Sequence, residues 1–190
     1  MSLSSPALVV MGVAGCGKSS LGAAVAALAD AVLIEGDTFH PAANIAKMSA
    51  GIPLDDADRA GWLEQLGIEL RRALKAGERP ILTCSALKKR YRDTLRAAVP
   101  DLGFVFLELT REVAAERVAH RPGHFMPASL IDSQFAALEP PYTEPRTLTL
   151  DATLPLPDMA ARVMAWWAPD RSPAAARPSS PARQPAPSGA

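Results

Sequence analysis

Three observations predict an α/β fold with a parallel sheet covered by helices on both faces. Short apolar runs alternate with segments of helical period. A glycine-rich loop joins the first run to the first helical segment. Charged residues gather just past several runs, at the carboxyl ends of strands, where such sheets bind ligands.

The elements follow in order. Ala7–Met11, Ala31–Ile34, Ile81–Cys84, Phe104–Leu109 and Thr147–Leu150 are short apolar runs of strand type. Leu21, Val25 and Leu28 share one helical face after the glycine-rich loop. Leu63, Leu66, Leu70 and Leu74 form a longer stripe, and Tyr91, Leu95 and Val99 a third. Ile131, Phe135 and Leu138 form another, stopped by Pro140 and Pro141. Pro157 to Trp167 closes the folded unit.

The chain has 190 residues, 48% hydrophobic and 21% charged, with a formal net charge of zero. That length suits one domain with a real core. The charge balance gives no reason to expect nucleic-acid or membrane partners. No apolar run approaches the roughly 18 residues of a membrane span. The N-terminus shows neither the basic start nor the apolar core of a signal peptide. Cys16 and Cys84 make no disulfide framework, so a reducing cytoplasm is the expected location. After about Pro169 the chain is dominated by Pro, Ala, Ser and Arg, with no hydrophobe larger than alanine. Residues 1–168 are therefore expected to fold and 169–190 to form a disordered tail.

Gly12-Val13-Ala14-Gly15-Cys16-Gly17-Lys18-Ser19 matches G-x-x-x-x-G-K-[ST] in full, with Ser20 following. Its place between a strand and a helix is the required one. Glycines let backbone N–H groups approach phosphate oxygens closely, and the helix N-terminus adds its dipole. Lys18 is expected at the β and γ phosphates of a nucleoside triphosphate, and Ser19 at Mg²⁺. The loop does not name an acceptor. Asp58-Arg59-Ala60-Gly61 spells the D-x-x-G of GTPases but follows no strand, and no N-K-x-D appears. A nucleotide switch is therefore disfavoured.

The second run ends in Glu35-Gly36-Asp37-Thr38-Phe39-His40-Pro41. Two carboxylates and an imidazole near anionic phosphates are costly unless they are used. Glu35 suits a magnesium-bound water, and Asp37 suits the proton of an attacking hydroxyl. The alternative is a turn with capping acids.

Four stretches then show a resemblance to a known family. They are MGVAGCGKS, EGDTFHPAANIAKMSAGIPLDDADRAGWL, CSALKKRYRDTLR and RPGHFMPASLIDSQFAALEPP. Together they make the chain similar to the bacterial-type gluconate kinases, P-loop kinases related to shikimate kinases. The resemblance implies a five-stranded sheet of order 2-3-1-4-5 with a small lid near 117–127. It also implies ATP-dependent phosphorylation of D-gluconate at the 6-hydroxyl, with Mg²⁺. Family members are often dimers, which leaves a homodimer open. Ala14 and Cys16 stand where serines are common, and Phe39 where leucine is usual. Another small hydroxy acid, shikimate included, is the alternative acceptor, and a non-catalytic nucleotide-binding module the alternative class.

The remaining candidates follow from this frame. Arg59 is the candidate for the substrate carboxylate, against a surface ion pair with Asp55 or Asp58. Five basic residues lie between 88 and 96. Lys88 is the one expected at the substrate, together with His40 and His124. Lys89, Arg92 and Arg96 are expected on a solvated helix face. Ser85 suits either substrate or a helix cap. Arg117 and Arg121 are i and i+4, with Pro122 and Gly123 breaking the helix beyond. The resemblance puts Arg117 near adenine and Arg121 on phosphate, against an ordinary exposed helix end. Ser133 and Gln134 match the family's S-Q-F stretch without a role attached. Cys16 and Cys84 are expected at the same end of the sheet, which raises oxidative inhibition as an expectation to test.

Overall fold

A computed structural model describes residues 5–120 and 128–167. The expected lid residues Arg121 and His124, and the tail 169–190, lie outside the described residues. The strands are β1 (Leu8–Met11), β2 (Val32–Glu35), β3 (Pro80–Thr83), β4 (Gly103–Glu108) and β5 (Thr147–Asp151). They form one sheet of order β2-β3-β1-β4-β5, with every pairing parallel. Each run expected from sequence is a strand, displaced by a residue or so at its ends.

The helices are α1 (Lys18–Ala29), α2 (Ala42–Ser49), α3 (Asp56–Lys75), α4 (Lys89–Ala98), α5 (Arg111–Ala119), α6 (Ala128–Ala137) and α7 (Leu156–Trp166). Strand periodicity divides the core in two. Leu8 and Val10 of β1, with Val105 and Leu107 of β4, pack with residues of α1, α5 and α7 on one face. Val9 and Met11, with Phe104 and Phe106, pack against α3 and α4 on the other. β1 lies between two strands and two helical layers, so its whole length is buried and it reads as a continuous apolar run.

The leucine stripe of α3 behaves as expected, with Leu63, Leu66 and Leu70 buried. In α1 the buried residues are Leu21, Gly22, Val25 and Ala26. Leu28 is 62% exposed, because the buried face extends from Leu21 toward Gly22 and Ala26 and leaves Leu28 beyond its opposite edge. α2 was not foreseen. Its eight residues are too few to show a convincing period, and its buried residue is polar, Asn44.

The basic run of α4 requires a correction. Lys89 is exposed and pairs with Asp93, as expected. Arg92, expected on a solvated face, is 0% exposed. Its guanidinium donates to the carbonyls of Ala86, Leu87 and Glu139 and to the Glu144 carboxylate. Arg96 also reaches Glu144, at 2.7 Å, and lies over the Phe104 ring. Burial alone would raise the Glu144 pKa, but hydrogen bonds from Arg92 and Arg96 hold it below the usual value. Arg92 can be buried because every side of the guanidinium meets an acceptor. Arg92→Met is therefore expected to destabilise the protein by about 3–5 kcal/mol, since Glu144 loses its main partner. Urea unfolding followed by circular dichroism measures this, and a loss below about 1 kcal/mol would return Arg92 to the surface class.

Candidate active site

The glycine-rich loop leaves β1 and enters α1, as its motif requires. Gly12, Gly15 and Gly17 all have positive φ. Lys18 folds over the loop, and its Nζ donates to the carbonyls of Gly12 at 3.1 Å and Val13 at 3.0 Å. The loop rests on β3 through Gly12 N–H, which donates to the Ser85 carbonyl. Ser85 thus serves the loop through its backbone. It does not cap α4, whose N-cap is Lys88.

β2 delivers the two acids. Glu35 pairs in register with Thr83 of β3. Glu35 Oε2 accepts from Thr83 Oγ1 at 2.5 Å and from Ser19 Oγ at 3.0 Å. The loop hydroxyl and the strand-end carboxylate are therefore brought together. A hydroxyl and a carboxylate are the hard oxygen donors that Mg²⁺ prefers. No group of three or more His, Cys, Asp or Glu side chains that could hold a metal occurs among the described residues. The arrangement therefore fits an ion that keeps most of its waters and not a full protein cage.

Past Glu35 the chain makes a 3-10 turn, Gly36–Phe39. Gly36 is required there, because a Cβ would collide with the Thr83 carbonyl oxygen. Neither acid caps this turn with its side chain. Asp37 is exposed, and its carboxylate makes no hydrogen bond or ion pair among the described residues. The capping alternative for this stretch thus finds no support.

His40 is 8% exposed and stacks on Trp62, with ring centroids 4.1 Å apart. Trp62 Nε1 in turn donates to the Gly36 carbonyl at 2.9 Å. Burial lowers the His40 pKa, with Asp37 raising it and Arg59 lowering it further. The imidazole is therefore neutral at pH 7. Asn44 Nδ2 donates to the Asp58 carbonyl at 2.8 Å, so its second hydrogen faces His40 Nδ1 at 3.4 Å. That assigns the ring proton to Nε2.

α3 opens with a capping box between Asp55 and Asp58. Asp58 also pairs with Lys47 of α2. Both acids are thus committed without Arg59, and the expected alternative of an ion pair fails among the described residues. Arg59 Nε leans on the Leu54 carbonyl at 3.4 Å, and its guanidinium lies 5.8 Å from the centroid of the Tyr91 ring. Lys88 is held at 2.8 Å by Asp56, which also accepts from Arg90 and from the Tyr91 hydroxyl. These contacts, led by the Lys88 hydrogen bond, keep the Asp56 pKa below its ordinary value.

The Trp62–Gly36 hydrogen bond sets the α3 turn that carries Arg59 against the 3-10 turn that carries Asp37. The Cys84 thiol just past β3 is pushed up to about 12, mainly by burial, and the charges of Asp37, Lys18 and Arg59 act on it. Cys16 and Cys84 are both buried and unpaired. A buried thiol with so high a pKa holds almost no thiolate, which argues against Cys84 as an oxidation target.

Arg117 lies on α5 and donates to the carbonyls of Ala152 at 3.0 Å and Gly15 at 3.5 Å. It therefore borders the loop. α5 ends at Ala119, and the expected partner of Arg117 on a shared helix face, Arg121, lies outside the described residues. Sequence reasoning missed Trp62, Asn44, Thr83 and Asp56 as site residues. For Trp62 and Thr83 the only signal was a polar atom inside an otherwise apolar stripe. The D-x-x-G tetrapeptide lies inside α3, which follows a helix and not a strand. No helix among the described residues is long and apolar enough to cross a membrane.

Known proteins extend this geometry. A family model described as an AAA domain matches residues 8–141. A thermosensitive gluconokinase of Escherichia coli strain K12 is 48% identical over 136 residues, covering 72% of this chain and 73% of that protein. A gluconokinase of Gluconobacter oxydans strain 621H is 48% identical over 134 residues, covering 70% and 75%. The crystal structure of a gluconokinase from Sinorhizobium meliloti 1021 is similar with a TM-score of 0.79 and 46% identity, covering 88% of this chain and 94% of that one.

Proposed function

Because the chain belongs to the gluconokinase family of P-loop kinases, we propose that it transfers the γ-phosphoryl group of ATP to the 6-hydroxyl of D-gluconate. The products are ADP and 6-phospho-D-gluconate. The observation that carries the reading is that Lys18 opens α1 past β1, Asp37 follows β2, and the Trp62–Gly36 hydrogen bond brings the helix of Arg59 against the turn of Asp37, with Asp37 and Arg59 free of carboxylate or cation partners among the described residues. A loop alone fits any nucleotide protein. A carboxylate and a guanidinium, each without an ionic partner, fit an acceptor that carries both a hydroxyl and a carboxylate.

Loop amides and Lys18 hold the phosphates. Asp37 orients the accepting hydroxyl and takes its proton. His40 offers Nε2–H to a neighbouring sugar hydroxyl. Arg59 grips the far carboxylate as a fork, and Lys88 adds charge to the same wall. Ser19 and Glu35 would hold Mg²⁺, which neutralises phosphate charge when bound. Arg117 borders the nucleotide from α5.

ADP release measured across D-gluconate, other aldonic acids, shikimate and nucleoside monophosphates tests the proposal. Turnover is expected with gluconate foremost. Turnover with shikimate or AMP and none with gluconate would overturn it. A second result is expected at Arg59. Arg59→Gln raises the KM for gluconate roughly 10- to 100-fold, as loss of a charged hydrogen-bond pair does. The KM for ATP stays unchanged. Arg59→Lys recovers part of the loss, because the charge survives without the fork.

A further inference from the structure

The N–H groups of the phosphate loop divide into two sets. Gly12 donates to the Ser85 carbonyl at 3.3 Å, and Cys16 to the Val13 carbonyl at 3.4 Å. Ala14 donates to Gln134 Oε1 at 2.7 Å. The N–H groups of Gly15, Gly17, Lys18 and Ser19 have no acceptor among the described residues. The first set is thus committed to the protein, and the second is available to phosphate oxygens. Gln134 is the side chain that enforces the division from outside the loop.

Its orientation is fixed by its partner. A backbone N–H is an obligate donor, so Oε1 must face Ala14 and Nε2 must point elsewhere. The support is also firm. Gln134 stands on α6, where Leu130 and Ile131 are buried in the body of the domain. Ser133 closes onto the Leu130 carbonyl at 2.8 Å. On the loop side the Ala14 N–H belongs to the Val13–Ala14 peptide, whose carbonyl accepts from Lys18 Nζ at 3.0 Å and from the Cys16 N–H at 3.4 Å, so Gln134 holds one face of that peptide plane and Lys18 with Cys16 the other.

We propose that Gln134 is a positioning residue for phosphoryl transfer. By holding the Ala14 N–H it sets the tilt of the loop, and the free amides of Gly15, Gly17, Lys18 and Ser19 then face the phosphates together. This rests on the reading of the loop as the ATP site. Without the glutamine the Ala14 N–H loses its acceptor, the Val13–Ala14 peptide is held from its carbonyl side alone, and the amide cradle is less preorganised.

Two substitutions separate this role from simple packing. Gln134→Met keeps length and bulk but accepts no hydrogen bond. Gln134→Glu keeps the acceptor and adds a charge beside the loop. Binding of a fluorescent ATP analogue, steady-state ADP release and thermal unfolding are measured for each. Gln134→Met is expected to weaken ATP binding about tenfold and to lower kcat, with the gluconate KM and Tm unchanged. Gln134→Glu also binds ATP more weakly, from charge repulsion, but holds kcat near the parent value at saturating ATP. Gln134→Ala reads like the methionine variant and replaces it should that variant not fold. Parent-like ATP binding and kcat in Gln134→Met would overturn the proposal. So would a fall in Tm alone, which would leave Gln134 as a tie between helices. The nucleotide titration needs no acceptor, so its outcome stands whether or not gluconate proves to be the substrate.

Discussion

Lys18→Ala is expected to lower gluconate-dependent turnover roughly a hundred- to a thousandfold, or about 3–4 kcal/mol of transition-state stabilisation. The ammonium sits over the loop on the Gly12 and Val13 carbonyls. From there a small displacement puts it against phosphate oxygens whose charge spreads as the phosphoryl group moves. The Val13 carbonyl it leaves still accepts from the Cys16 N–H, and the substitution is expected to leave the fold intact. ADP release at saturating gluconate, alongside thermal unfolding, checks both statements. Turnover near the parent value in a folded variant would remove Lys18 from the reaction.

Asp37→Asn is expected to cut turnover by at least about a hundredfold, at the low end of what a placed general base contributes. ATP affinity stays within a few-fold of the parent. The structure sharpens this result. The Asp37 carboxylate has no hydrogen bond or ion pair among the described residues, so asparagine breaks no fold contact and Tm is expected not to fall. A capping residue would show the opposite pattern, lower Tm with normal turnover. Asp37→Glu is also expected to fail, because one added methylene shifts the carboxylate by about 1 Å, enough to cost on the order of 10²-fold. In phosphoryl transfer, holding the hydroxyl in line counts beside removal of its proton. Normal gluconate turnover by the asparagine variant would end the assignment and turn attention to Glu35.

Strand positions were readable in the sequence because parallel strands buried on both faces need continuous apolar runs. The loop was readable because its chemistry lies in contiguous residues. The resemblance supplied the strand order, and the pairings match it. The fate of Arg92 was not readable. A basic run looks solvated until the chain returns, some fifty residues later, with Glu144 and the Glu139 carbonyl. Asp56 was hidden for the same reason, since the groups it gathers lie on another helix. Gln134 was visible only as part of a shared motif. Its partner is a backbone amide 120 residues away, and nothing local announces such a contact.

The sheet order also dictates when the loop can take shape. β1 is the first strand of the chain, yet its neighbours are β3 and β4. β2 pairs with β3, and β4 with β5, each the next strand along the chain. As the chain leaves the ribosome, β1 has no edge to join until Pro80–Thr83 has emerged, and it is enclosed only after Gly103–Glu108 follows. The phosphate loop, though made first, thus matures after most of the domain is present. Its long-range pairings carry the entropy of closing the largest loops in the sheet, and such contacts form slowly. Nucleotide added during refolding therefore captures the finished protein rather than guiding the early chain, and a nascent chain cut short before β4 leaves an apolar β1 without cover.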